Sequence, residues 1–127
     1  MKGAGHERIL VVEDQDDVRK ITSAILQHGG YNVVEASRPH DALAMMRDPQ
    51  SHFDLMLTDV VMPEMSGRQL ARIVAELRPH LKVLYMSGYA KETIVENGSI
   101  EPGVAFIAKP FTSNGLIEVV RATLDYR

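Results

Sequence analysis

The stretch "LTDVVMPEMSG", Leu57 to Gly67, brings an apolar run to a lone aspartate, Asp59, and continues with two valines, a methionine and a proline. An ionised carboxylate has no place in a hydrophobic core without a partner. Asp59 is therefore either the polar edge of a buried strand or a group held at a cleft for chemistry. The run beside it, "DLMLT" (Asp54 to Thr58), is one of five short β-rich apolar runs. The others are "RILVV" (Arg8 to Val12), "YNVVE" (Tyr31 to Glu35), "KVLYM" (Lys82 to Met86) and "VAFIA" (Val104 to Ala108).

Helical spacing fills the gaps. Val18, Ile21, Ile25 and Leu26 line one face of a first helix, and Gly29-Gly30 supply its stop. Ala42, Leu43 and Met46 mark a second, with Pro39 suited to its first turn. Ser66 can cap a third, which carries Leu70, Ile73, Val74 and Leu77 and ends before Pro79. A weaker fourth is expected from about Ala90 to Glu96, stopping at Gly98. Thr112 can cap a fifth, with Leu116, Val120 and Leu124 at i, i+4 and i+8.

Continuous apolar strands alternating with amphipathic helices predict an α/β fold whose parallel sheet is covered on both faces. Ligands in such folds sit at the carboxyl ends of the strands. Glu13 and Asp14 follow the first strand, Asp59 the third, Ser87 the fourth and Lys109 the fifth. The polar oddities of the sequence fall on one edge.

Composition narrows the class. The 127 residues suit one domain with a sizeable core, expected over 1–127 with 1–6 as a flexible tail. Hydrophobic residues at 45% and charged residues at 24% are the balance of a globular chain. A net charge of -3 argues against general attraction to nucleic acid or anionic membrane. The chain has no cysteine, hence no disulfide framework. No apolar run approaches the ~18 residues of a membrane span, and "MKGAGHER" lacks a signal-peptide core. A cytoplasmic location is the expectation.

Three carboxylates converging on one edge repel each other unless a cation sits among them. Oxygen ligands with no His or Cys nearby favour Mg²⁺, which is usually held by one or two carboxylates and keeps several waters. Lys109 adds a compact positive charge for Asp59 or for a phosphoryl group, and Ser87 a hydroxyl donor. A carboxylate nucleophile, a metal, a lysine and a hydroxyl together form the kit for an aspartyl phosphate. Singly, each residue has a plainer reading. Asp14 could cap the first helix, Asp59 could be structural, and Lys109 and Ser87 could be loop residues. Phe106 could be a core aromatic, and the seven methionines core filler. The five histidines show no ligand spacing. The plain readings fail jointly, because independent accidents would not all select one sheet edge.

With "VVED" (Val11 to Asp14), "TDVVMPEMSG" (Thr58 to Gly67), "YMSGY" (Tyr85 to Tyr89) and "AKPF" (Ala108 to Phe111) in order, the chain resembles the receiver domain of two-component response regulators. The resemblance implies a flavodoxin-like (βα)5 three-layer sandwich with a parallel five-stranded sheet in order 2-1-3-4-5. It implies that Asp59 is the phosphoacceptor and that Mg²⁺ is bound by Asp14, Asp59 and the Val61 carbonyl, with Glu13 acting through a metal-bound water. Ser87 and Lys109 would bind phosphoryl oxygens, and Ser87 and Phe106 would form the switch. Glu13 stands where Asp is more frequent, and Ser87 where Thr is commoner. Neither change removes a needed functional group.

The implied function is that of a phosphoacceptor module in a phosphorelay, a signalling domain and not an enzyme in its own right. Its partners would be a histidine kinase or histidine phosphotransfer domain, and an output protein or attached kinase domain meeting the face of helix 4, strand 5 and helix 5. Neither nucleic acid nor membrane is an expected partner. A haloacid-dehalogenase-type phosphatase would want a second aspartate where Val61 stands, and a cap insertion. A nucleotide binder would want GxGxxG or GxxxxGK[ST], which no strand precedes. No helix-turn-helix follows the fifth helix, so a stand-alone regulator or a receiver excised from a longer protein is expected. "RPHLKVLYMSGY" and "GVAFIAKPFT" resemble receivers fused to hybrid sensor histidine kinases.

Overall fold

A computed structural model describes residues 7–87, 95–96, 99–100 and 105–125. In chain order the strands are β1 (Arg8–Val12), β2 (Asn32–Ala36), β3 (Leu55–Asp59), β4 (Lys82–Ser87), β5 (Val95–Glu96), β6 (Ser99–Ile100) and β7 (Ala105–Ala108). All but β5 and β6 form one parallel sheet, in the order β2-β1-β3-β4-β7. Counted within the sheet this is 2-1-3-4-5, as expected. The helices among the described residues are α1 (Asp16–His28), α2 (Pro39–Arg47), α3 (Gly67–Leu77) and α4 (Ser113–Asp125), the last being the fifth helix expected from sequence.

Burial on both faces accounts for the unbroken apolar strands. In β1, Leu10 and Val12 join one core cluster with Leu43, Met46, Leu70 and Val74 of α2 and α3. Ile9 and Val11 point the other way, into a cluster with Leu26 of α1 and Leu116 and Val120 of α4. The parallel register sets Val12 beside Thr58, Asp59 beside Met86 and Ser87 beside Ala108, so the carboxyl ends of β3, β4 and β7 lie level. Of the methionines, Met46, Met56, Met62 and Met86 are buried, and Met45 and Met65 pack against the core.

Local chemistry sets the helix ends. Ser66 and Gln69 form a reciprocal capping box at the start of α3. The Thr112 hydroxyl accepts from Gly115 N–H at 2.9 Å, and Pro39 occupies the first turn of α2. Helix α1 ends at Gly29, and Gly30 takes the left-handed φ of 98° that favours glycine. Its N-cap is Gln15, so Asp14 does not cap it.

Two expectations are corrected. The buried face of α1 consists of Arg19, Thr22, Ser23 and Leu26, while Ile21 is 59% exposed and Ile25 only packs at the margin. The rotation follows from Arg19, whose guanidinium reaches Glu13 and Glu35 beneath the helix. Of the fourth helix expected from Ala90 to Glu96, residues 90–94 lie outside the described residues. Val95–Glu96 form a strand, β5, which pairs antiparallel with β6. The intervening Asn97-Gly98 is a dipeptide that favours two-residue hairpins over helix, and Val95 is β-branched. No helix among the described residues is long and apolar enough to cross a membrane.

Candidate functional site

The described residues singled out for metal and phosphoryl chemistry all lie at the carboxyl edge of the sheet. β1 ends at Val12, and Glu13 extends it by donating its N–H to Ala36 O at 3.1 Å. The Glu13 side chain points inward and is wholly buried. Its two oxygens are both engaged. Oε1 accepts from Lys109 Nζ at 3.1 Å, and Oε2 from Gln15 N–H at 3.0 Å.

Asp59 is the last residue of β3 and is 7% exposed. Oδ2 accepts from the same Lys109 ammonium at 3.1 Å, while Oδ1 has a long 3.4 Å contact from Val61 N–H. Lys109 thus bridges two acidic groups that lie 50 and 96 residues away along the chain. Its backbone N–H donates to Ser87 O at 2.9 Å, which seats the β7 exit beside β4, and the Lys109–Pro110 peptide is cis. Ser87 is 1% exposed.

Asp14 faces the opening. One carboxylate oxygen from each of Glu13, Asp14 and Asp59 lies within 4.8 Å of the others. Asp14, Asp59, Val61, Ser87 and Lys109 share a cleft of about 540 Å³ with Gln15, Met62 and Pro63. An all-oxygen donor set at this spacing fits a hard divalent cation. Both Glu13 oxygens already accept protein hydrogen bonds, whereas Asp14 faces the cleft and Asp59 Oδ1 has only the long 3.4 Å contact, so these two offer the better-placed metal-facing atoms. Glu13 would act at one remove.

Electrostatics agree with this layout. Burial pushes the Glu13 carboxyl up to about 7; the Gln15 N–H opposes that rise, the Asp59 charge adds to it, and Lys109 opposes it. Burial by itself would lower Lys109, but Glu13 and Asp59 outweigh it and hold the ammonium above its ordinary value. Lys109 therefore stays charged throughout the neutral range.

Phe106 is half-buried on β7, in register with Tyr85 of β4, and packs against the core cluster under α2 and α3. The Arg68 guanidinium lies 5.9 Å from the Tyr85 ring centre. Tyr89 and the greater part of the expected fourth helix lie outside the described residues. Among the histidines, His52 pairs with Asp54 at 3.2 Å and His40 lies 3.9 Å from Glu64, both at the surface. Sequence motifs gave no role to Arg19 or Gly67. No sequence signal sets Arg19 apart from its charged neighbours Asp16, Asp17 and Lys20, and only the "MSG" turn could have pointed to Gly67.

The family model for the response regulator receiver domain matches residues 9–121. The sensor kinase CckA of Brucella abortus is 35% identical over 122 residues, covering 96% of this chain and 13% of the kinase. The chain thus spans a small part of that relative. The response regulator receiver protein CpdR of the same organism is 33% identical, with 93% of this chain and 97% of CpdR covered. Among solved structures, the receiver domain of the hybrid histidine kinase CckA superposes with a TM-score of 0.78 at 33% identity, covering 93% of this chain and 99% of that one. A response regulator receiver protein from Sinorhizobium medicae gives 0.83 at 28% identity, with coverages of 94% and 95%.

Proposed function

The chain belongs to the response regulator receiver domain family, and we propose that Asp59 is the residue through which it takes part in two-component phosphorelay. The observation that carries this reading is the Lys109 ammonium, 3.1 Å from both Asp59 and the buried Glu13, at a cleft that also holds Asp14. A strand-end carboxylate so placed lines the cleft as a nucleophile and is flanked by the cation that a phosphoryl oxygen needs.

In the proposed transfer, an Asp59 oxygen forms the new O–P bond as the P–N bond of a phosphohistidine breaks, and the departing imidazole takes a proton from solvent. Mg²⁺, held by Asp14, Asp59 and the Val61 carbonyl, would supply charge neutralisation at the phosphoryl oxygens. Lys109 then trades part of its pairing with Asp59 for a phosphoryl oxygen, and Ser87 donates its hydroxyl to another. Movement of Ser87 would let Phe106 turn inward, passing the event to the face expected from the fourth helix together with β7 and α4. The phosphoryl donor would be a histidine kinase or a histidine phosphotransfer domain, in the cytoplasm. The domain would span the whole chain, with residues 1–6 as a tail. The recipient of the signal would be an output protein or an attached kinase domain.

Acetyl phosphate with Mg²⁺ should add one phosphoryl group by intact mass, and Asp59→Asn should abolish the adduct. An adduct of equal yield in Asp59→Asn overturns the assignment.

A further inference from the structure

A charged residue lies on the buried face of α1, beside Thr22, Ser23 and Leu26. Arg19 is 8% exposed, and its guanidinium donates in three directions. Nη1 donates to the Glu13 carbonyl at 2.9 Å, Nη2 to Asp16 Oδ1 at 2.7 Å, and Nε to Glu35 Oε1 at 3.1 Å. Its backbone N–H also reaches Gln15 O at 2.9 Å. The segment Glu13 to Asp16, which carries two of the three clustered carboxylates, is thereby tied at each end to one planar fork. Glu35 anchors that fork to β2, beside the strand position where Glu13 N–H meets Ala36 O.

Burying a guanidinium is costly unless its donors are satisfied. Cohesion of α1 with β2 does not account for that cost, since an aliphatic side chain would supply it as well. What an aliphatic side chain could not supply is a donor to the Glu13 carbonyl. The rigid fork of arginine fixes a carbonyl and two carboxylates at once, and the flexible ammonium of lysine cannot.

We infer that Arg19 is a positioning residue for the acidic pair: it acts through the Glu13 backbone to hold the Glu13–Asp14 turn where the two carboxylates face Asp59. The inference rests on the proposed reading of the cleft as a metal and phosphoryl site. It assigns Arg19 no contact with metal or phosphate. Groups that orient metal ligands typically change affinity on the order of 10-fold when lost.

Charge and position predict opposite signs here. If Arg19 were only a nearby cation, removing it would tighten Mg²⁺ binding by relieving repulsion. If it positions the turn, removing it weakens binding although a repulsive charge has gone. Mg²⁺ titrations without phosphodonor, followed by amide NMR on the folded full chain, read the difference. Asp14→Ala should abolish the response near Asp14 and Asp59, which tests the reading of the cleft itself. Arg19→Met and Arg19→Lys should each weaken Mg²⁺ by about 10-fold, and Glu35→Gln, which keeps an uncharged acceptor, by less. Wild-type or tighter affinity in Arg19→Met overturns the inference while leaving the metal site standing. Should Arg19→Met not fold, Arg19→Lys decides in its place, because it keeps the charge and loses only the fork; wild-type affinity there overturns the inference equally. A wild-type response that Asp14→Ala leaves unchanged sinks the metal site and the inference together.

Discussion

Gly67 packs directly against the backbone of Asp59: a Cβ at position 67 would press into the Asp59 carbonyl oxygen and lie 3.1 Å from the Val60 Cα. The Gly67 N–H donates to Val60 O at 2.8 Å, so the first residue of α3 and the exit of β3 are locked at the distance of two bare backbones. Gly67 needs no unusual φ, and alanine in a helix is ordinarily the more stable residue. Gly67→Ala should nevertheless destabilise by about 1–3 kcal/mol, because the clash is with main chain that cannot swing aside. Urea unfolding checks the sign. A stabilised Gly67→Ala would show that the β3–α3 junction yields freely.

The buried Glu13 carboxyl should make metal-free stability depend on pH. Its folded pKa of about 7 lies above the ordinary 4.5, so between those values the fold keeps a proton that the unfolded chain has released. Stability should fall as pH rises through that window and level off above it. In Glu13→Gln this component should vanish. Unfolding midpoints in chelator at several pH values measure it, and parallel profiles for both proteins would refute the assignment.

Thr22 and Ser23 bring hydroxyls to the buried face of α1, and neither hydroxyl has a hydrogen-bond partner among the described residues. Thr22→Val keeps the shape, removes the orphaned group and should stabilise by about 1 kcal/mol. Ser23→Ala should also stabilise, with a helix-propensity gain added. A lower unfolding midpoint in Thr22→Val would mean that its hydroxyl finds a partner in solution.

Val61 stands at the cleft rim, 58% exposed, with a side chain that can neither donate nor accept a hydrogen bond. It cannot orient a water in line with an Asp59 acyl phosphate, so the adduct should hydrolyse slowly unaided. Tyr89, two residues after Ser87 in the sequence and outside the described residues, has the bulk expected of a shield over the adduct. Val61→Asn combined with Tyr89→Ala should shorten the lifetime of the adduct at fixed Mg²⁺, measured by intact mass over time. Equal decay in the two proteins would show that these side chains do not set the rate.

By itself the sequence determined the alternation of strands and helices (except for the fourth helix), the parallel sheet and the level edge at which Glu13, Asp14, Asp59, Ser87 and Lys109 end. Those follow from periodicity and from where each apolar run stops, and both are local properties. The caps at Ser66 and Thr112 and the stop at Gly29 were legible for the same reason, since a cap is completed within a turn. Only the tertiary structure decided which side of α1 faces inward. Val18, Ile21 and Ile25 make a plausible apolar stripe, but the partner that orients the helix is Glu35, on a neighbouring strand. Only the fold put one ammonium between Glu13 and Asp59, left both Glu13 oxygens occupied, and turned Val95–Glu96 into a strand. Such outcomes depend on pairings between distant segments, whose energies no local window of sequence contains.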